Sequence, residues 1–287
     1  MADVLLATCA DLPDGEPGGQ LLLDALAERG VAARFAVWDD PSVDWEVARL
    51  VLVRSTWDYD GRRDEFLAWC RKVGDTLVNS VEAIAWNTDK AYLVDLGQTS
   101  LPVVPTVAVD EEGEIGPAVA AFAPAVVKPR VGAGGRGVVV FDGEPGGPAG
   151  LDESQIERGP WVVQPLVASI RTEGETSVFV FGGDVVSQVV KLPAGEEIRV
   201  HEEFGGASKP VPVTSEAAQL ACEAVAVAEG LLGVPLPYAR ADMMRLDDGT
   251  LALSELEITE PGLYLDVVPA NAWSFADLVV DLLDATA

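Results

Sequence analysis

Six residues near the middle of the chain, Gly132-Ala133-Gly134-Gly135-Arg136-Gly137, place four glycines between two aliphatic runs, 125–129 and 138–141. Their spacing satisfies G-x-G-x-x-G, which in a dinucleotide-binding fold follows a strand and opens a helix. Here the residues that follow are Val138-Val139-Val140-Phe141, β-branched and aromatic, which reads as a strand. The glycines therefore join two strands. That excludes a Rossmann crossover at this point. It suits a flap whose backbone N–H groups lie over phosphates, with a plain hairpin loop as the alternative. No G-x-x-x-x-G-K-[ST] occurs, so a P-loop is excluded.

A chain of 287 residues is long enough for one large domain or two to three lobes. With 47 acidic residues against 19 basic ones, its formal charge of −28 gives no footprint for nucleic acid and is repelled by anionic membranes. A 49% hydrophobic share argues against disorder. The longest stretch free of charge, 96–109, contains two prolines and is too short to span a bilayer. The first residues lack the basic region and cleavage site of a signal peptide. Cys9, Cys70 and Cys222 are far apart and odd in number, which suits a reducing cytoplasm and neither a disulfide framework nor a zinc site. His201 is the only histidine, which removes multi-histidine metal centres. A homo-oligomer is left open.

The first third alternates strand and helix: strands at 4–7, 33–37, 50–53 and 77–78, with helices at 21–28 and around 66–73. That alternation implies a small parallel sheet. The middle third has strands at 104–109, 125–129 and 138–141, an alanine-rich segment at 118–123, and a Gly/Pro/Glu loop at 143–150 that is the most disorder-prone stretch. The last third has strands at 161–164, 177–181 and 185–191, and a helix over 216–232 burying Leu220, Ala224, Val227 and Leu231. A hairpin then turns at Asp247-Asp248-Gly249, and a closing helix is capped by Ser274.

Three groups carry chemistry. Lys128, one of five lysines, stands in Val-Val-Lys-Pro-Arg on an otherwise aliphatic strand, where an ammonium must meet an anion or snorkel to water. Lys90, in Asn-Thr-Asp-Lys, opens a helix. Glu255 and Glu257 share one strand face by their period of two, with Leu256 and Ile258 on the other, and Asp242 on the preceding strand can complete a carboxylate cluster. Three such carboxylates repel one another unless they share a cation, and all-oxygen ligation suits Mg²⁺; a solvent-facing pair is the alternative. Arg199 by itself reads as a surface salt bridge. The segment Arg54-Ser55-Thr56-Trp57-Asp58-Tyr59 ends a buried strand, where loops of open sheets line crevices; a packing corner is the alternative.

In chain order these motifs resemble the ATP-grasp superfamily, in its glutathione-synthetase-like branch, over about residues 86–268. The run is Asn-Thr-Asp-Lys90, Val-Val-Lys128-Pro with the glycine cluster, Val-Val-Gln164-Pro-Leu-Val, Lys191-x-Pro-x-Gly-x-x-x-Arg199, Ala-Arg-Ala-Asp242 and Glu255-Leu-Glu257-Ile-Thr-Glu-Pro. The resemblance implies an α/β fold with α+β lobes: an N-terminal Rossmann-like substrate lobe at 1–85, a central lobe with the flap at 86–165, and a C-terminal lobe at 166–287, with ATP between the last two. It implies that Lys90 and Lys128 contact ATP and that Gly132, Gly134, Gly135 and Gly137 close over its phosphates. Gln164, Pro165, Leu166 and Val167 would lie beside adenine, and Glu175 (or Glu173) would hold ribose. Asp242, Glu255 and Glu257 would hold Mg²⁺, and Arg199 would steady the transferring phosphoryl group. Many relatives carry Asn where Glu257 stands.

Segment 54–59, with Trp38-Asp39-Asp40-Pro41 and Trp86-Asn87, looks like the group that includes the O-ureido-D-serine cyclo-ligase and ligases coupling amino acids to glutamate. On that likeness Arg54 to Tyr59, Glu260 and Gly262 would bind a small amino-acid substrate. The implied reaction is amide formation through an acyl phosphate between two small amino-acid substrates. The alternatives are cyclisation of one amino acid and a catalytically silent nucleotide-binding module.

Overall fold

The computed structural model describes residues 3–141, 159–195 and 197–286. The loop at 143–150 lies outside them. Three sheets organise the described residues.

The first sheet is parallel, in the order β2-β1-β3-β4, from β1 (Val4–Thr8), β2 (Ala33–Val37), β3 (Leu50–Ser55) and β4 (Leu77–Val78). Every residue of β1 and β3 is buried, as expected of aliphatic runs covered on both faces. On one side α2 (Arg63–Val73) packs Phe66, Trp69 and Cys70 against Trp38 and Trp45. On the other, α1 (Gly19–Glu28) and the last helix α7 (Ala270–Ala285) share a core with Phe179, Phe181 and Tyr238 from the C-terminal part. That core joins the first sheet to the C-terminal part of the chain.

The second sheet, β5-β8-β6-β7, is antiparallel: β5 (Val107–Val109), β6 (Ala125–Pro129), β7 (Val139–Phe141) and β8 (Trp161–Pro165). The glycine cluster joins β6 and β7, as its flanks require. The alanine-rich segment lies in helix α5 (Ile115–Phe122) on this sheet. The strand expected at 104–109 is shorter, because Val104 donates its N–H to Leu253 O and so runs along the third sheet. Pro105 stands between the two pairings and supplies no donor to either.

The third sheet, β11-β10-β9-β12-β13, is antiparallel and contains β9 (Glu175–Phe181), β10 (Asp184–Leu192), β11 (Ala207–Val211), β12 (Tyr238–Arg245) and β13 (Leu251–Glu257). Helix α6 (Ser215–Leu232) covers one face through Ala217, Leu220, Ala221, Ala224, Val225 and Ala228. Leu231 is half exposed, so the stripe assigned to this helix turns away in its last turn. Helix α7 begins at Ala270, after Pro269, rather than at a Ser274 cap. Proline is preorganised for a helix start, and buried Asn271 ties the first turn to Leu263 O and Ser187 Oγ. Two short helices, α3 (Val81–Asn87) and α4 (Tyr92–Gly97), connect the first sheet to the rest, and the division drawn after residue 85 falls inside α3.

Candidate active site

A cavity of about 420 Å³ opens between the second and third sheets and reaches the loop after β3. Strand β6 contributes Lys128, β8 Gln164 and Pro165, β9 Glu175, β10 Lys191, β12 Arg240 and Asp242, and β13 Glu255 and Glu257. The period of two that put Glu255 and Glu257 on one face holds: both line the cavity, while Leu256, which also borders it, and Ile258 belong to the core against α6. Asp242 stands opposite Glu255 in register.

The floor of the cavity is an ion-pair network. Lys191 is buried, with its Nζ 2.6 Å from Glu175 and 3.1 Å from Asp242. Burial opposes its charge, but Asp242 and Glu175 more than offset this and hold its pKa above the usual lysine value. Arg240 donates to Asp242 Oδ2 at 2.8 Å and also pairs with Glu257. Ser177 donates to Asp242 Oδ1, and Ser254 to Glu175 Oε1. Lys128 Nζ lies 3.4 Å from Glu255, so the ammonium on the aliphatic strand does meet an anion. Burial works against the Glu255 charge, but Lys90 and Lys128 draw its carboxyl down to about 2. Glu257 moves the other way: burial, then Asp242, Glu255 and Glu260, push it above the usual carboxylate range.

Four carboxylates, Glu175, Asp242, Glu255 and Glu257, therefore share ion pairs with three cations, Lys128, Lys191 and Arg240. Among the described residues no three acidic, histidine or cysteine side chains converge as a finished metal cage, because Asp242 turns to Arg240 and Lys191, and Glu255 to Lys128. The donor set is nevertheless all-oxygen and short of positive charge, which fits a hard divalent cation such as Mg²⁺.

The flap is drawn down over this floor. Gly134, Gly135 and Gly137 have positive φ, and a Cβ at Gly135 would lie 3.0 Å from His201 Nδ1. A side chain there would be both strained and crowded. Lys90 Nζ donates to Gly132 O at 2.7 Å and Arg130 grips Asp89 with two hydrogen bonds, so the last two residues of the Asn-Thr-Asp-Lys motif secure the flap's base. Arg136 reaches across to Asp60 Oδ2 (2.6 Å) and to Trp57 O (2.8 Å), latching the flap to the N-terminal lobe. Arg199 lines the cavity, pairs with Glu197 and lies over the Phe204 ring at 3.6 Å. Glu197 is lowered to about 2, chiefly by its hydrogen bond with Arg199.

Pro165, Leu166 and Val167 line the same cavity beside Gln164. Gln164 donates to Thr106 Oγ1, and the Leu166 N–H is already bonded to Pro124 O. Of the two ribose candidates, Glu175 faces the cavity and Glu173 lies outside it, paired with Arg245.

At the substrate end the structure corrects the reading of segment 54–59. Trp57 and Tyr59 line the cavity with Glu260 and Gly262, but Arg54, Ser55, Thr56 and Asp58 do not. Arg54 is fully buried and bonds Glu16 Oε1 and Pro261 O, and Glu16 Oε2 accepts the Leu263 N–H, so the pair clamps the 261–263 turn from behind. Ser55 shares a hydrogen bond with Thr8, Thr56 is buried, and Asp58 accepts from Trp38 and Arg62. These side chains belong to the strand end and its packing, and only the loop beyond it turns inward. Trp57 Nε1 donates to Glu260 O. Burial raises the Glu260 carboxyl to about 7. Sequence reasoning missed Glu16, Tyr264 and His201 as cavity residues, and it named Lys191 and Arg240 within motifs without giving them a role. Lys191 and Arg240 had a signal, since each is a charge on a strand rich in apolar residues. Asn87, flagged only within a motif, accepts the Ile258 and Thr259 N–H groups and donates to Leu256 O, pinning the end of β13.

Residues 4–79 match the family model of the N-terminal domain of D-cycloserine synthetase DcsG, and residues 94–239 match the ATP-grasp domain of prokaryotic glutathione synthetase. The cycloserine biosynthesis protein DcsG of Streptomyces lavendulae is 31% identical over 91% of this chain and 92% of that one. A glutathione synthetase of Synechococcus elongatus is 26% identical over 73% of this chain and 62% of its own. Among solved structures, the crystal structure of D-cycloserine synthetase DcsG superposes with a TM-score of 0.85 at 28% identity, covering 98% of this chain and 99% of that one. D-alanine–D-alanine ligase from Bacillus anthracis shares the fold at a TM-score of 0.65 and 15% identity, over 99% of this chain and 97% of its own.

Proposed function

The chain belongs to the family of the prokaryotic glutathione synthetase ATP-grasp domain, and from that premise we propose that it is an ATP-dependent ligase closing a carbon–nitrogen bond on a small amino-acid substrate. The observation that carries this reading is the meeting of Lys90, Lys128, the glycine flap, Arg199 and three strand-borne carboxylates around one cavity between two antiparallel sheets.

ATP lies in that cavity with its adenine toward Gln164, Pro165, Leu166 and Val167, its ribose toward Glu175 and its phosphates under the flap. Asp242, Glu255 and Glu257 would hold Mg²⁺, which would screen the charge of the phosphates. Lys128, released from Glu255, and Lys90 add positive charge on the β6 side. Phosphoryl transfer asks the protein for alignment and charge rather than covalent chemistry, which suits a site of lysine, arginine and carboxylate. The substrate carboxylate attacks the γ-phosphorus, ADP leaves, and an acyl phosphate remains. Arg199 steadies the equatorial oxygens during that step. An amine nitrogen then attacks the acyl carbon, phosphate departs with the bonding pair, and the nitrogen gives up its proton. The latched flap excludes the water that would otherwise hydrolyse the acyl phosphate.

Trp57, Tyr59, Glu260 and Gly262 form the wall for the amino acid. The likeness to DcsG over more than nine-tenths of both chains supports ring closure within one amino acid ahead of the joining of two, the form the motifs alone put first. The reaction is assigned to the cytoplasm, where ATP is supplied. ADP release measured with amino acids singly and in pairs, with mass spectrometry of the products, tests the reading. Release with one amino acid alone supports ring closure, and release only with pairs supports the two-substrate ligase. A flat panel with intact ATP binding would favour a catalytically silent module.

A further inference from the structure

Arg199 and His201 stand two residues apart on the connection between β10 and β11, with buried Val200 between them. Both face the same flap glycine: an added Cβ at Gly135 would lie 3.0 Å from His201 Nδ1 and 3.5 Å from Arg199 Cδ. Each also carries one buried polar atom without a hydrogen-bond partner among the described residues, Arg199 Nε and His201 Nδ1. Leaving two such atoms unpaired side by side costs free energy that a ligand oxygen would recover. Lys191 and Arg240 face His201 from β10 and β12, with Asp242 and Glu255 more weakly on the negative side. A polar atom in this setting, beneath the flap and at the cavity wall, is placed for an anion.

We propose that His201 contacts the terminal phosphate of bound ATP, forming with Arg199 a two-residue cradle for the transferring phosphoryl group. This rests on the ATP-ligase reading above. Burial, then Lys191 and Arg240, lower the imidazole to about 4, so it enters the reaction neutral. It then has one N–H to donate and does not repel the guanidinium beside it. The sole histidine of the chain thus contributes a directed hydrogen bond rather than a charge.

Because there is one histidine, protein labelled with ¹⁵N-histidine and carrying no histidine tag gives a single imidazole in a two-bond ¹H–¹⁵N correlation spectrum. Mg²⁺ with AMPPNP is expected to move the Nδ1 resonance, while Mg²⁺ with ADP or adenosine leaves it near its free position. Equal movement with ADP would overturn the terminal-phosphate contact, as would no movement while calorimetry records AMPPNP binding. Failure of every nucleotide to bind in calorimetry removes the ATP reading and this proposal together. As a second arm, His201→Ala is expected to lower ADP release about 100-fold, the scale of a lost transition-state donor, with KM for ATP little changed. His201→Asn, which keeps a donor, should recover part of that loss. An Ala variant releasing ADP within roughly twofold of wild type defeats the assignment.

Discussion

The two ends of the cavity are built on different principles. At the nucleotide end, Lys90 and Arg199 apart, the charged side chains stand on paired strands with an opposite charge within reach: Lys128 with Glu255, Lys191 with Glu175 and Asp242, Arg240 with Asp242 and Glu257. At the substrate end the wall comes from a loop and a turn, through Trp57, Tyr59, Glu260 and Gly262, and Glu260 shares a hydrogen bond with Tyr59 rather than a strand-borne ion pair. A sheet fixes direction and spacing, so it can hold a closely paired buried network. A loop cannot, and burial outweighs the Tyr59 hydrogen bond and the more distant Lys90 and Arg240 at its carboxyl.

That contrast is broken most severely by removing a shared cation. Lys191→Ala leaves Glu175 without its cation and Asp242 with Arg240 alone, and urea unfolding should show a loss of about 3–5 kcal/mol. A loss under about 1 kcal/mol would mean the network is wetter than described. Arg199→Ala should cost about 100- to 1000-fold in turnover, with ATP binding retained, because its charge matters when charge develops on the phosphoryl group. Near-normal turnover refutes that role.

The substrate end predicts the opposite sign. Burial raises Glu260 to about 7, so its carboxylate form is disfavoured in the folded protein. The stability that goes with its neutral form is present below the unfolded carboxyl value near 4 and is lost as pH rises through about 7. Glu260→Gln should therefore match wild type in acid and exceed it by about 1–3 kcal/mol at pH 8, as read by thermal or urea unfolding. Equal stability at both pH values would show that Glu260 is already paired. The smallest effect belongs to the latch between the ends. Arg136→Ala should change flap closure by about 0.2–1 kcal/mol, read as a modest rise in ATP hydrolysis uncoupled from product. The exchange Arg136→Asp with Asp60→Arg should restore coupling, and a failure to restore it would point away from charge pairing.

The same contrast explains what could be read in advance. Glu255 and Glu257 were placed correctly because a strand alternates with period two, and the glycine cluster declared a strand-to-strand loop because its flanks are strands. Lys128 announced an anion by its apolar neighbours. Arg54, Ser55, Thr56 and Asp58 were misplaced because they sit where a strand ends and no period governs direction. Leu231 fell outside its stripe because the last turn of α6 packs Leu232 against the core in its place, and α7 starts after Pro269 because a buried Asn271 secures that turn from distant residues.

By itself the sequence determined the strands, the flap between two of them, the carboxylate face and the order of motifs, since all follow from local spacing and apolar patterning. Tertiary structure alone decided which charge meets which. Lys191 reaches Asp242 across 51 positions, and Arg54 holds a turn 207 positions away. Such pairings depend on how sheets and loops are brought together, and no local pattern along the chain encodes them.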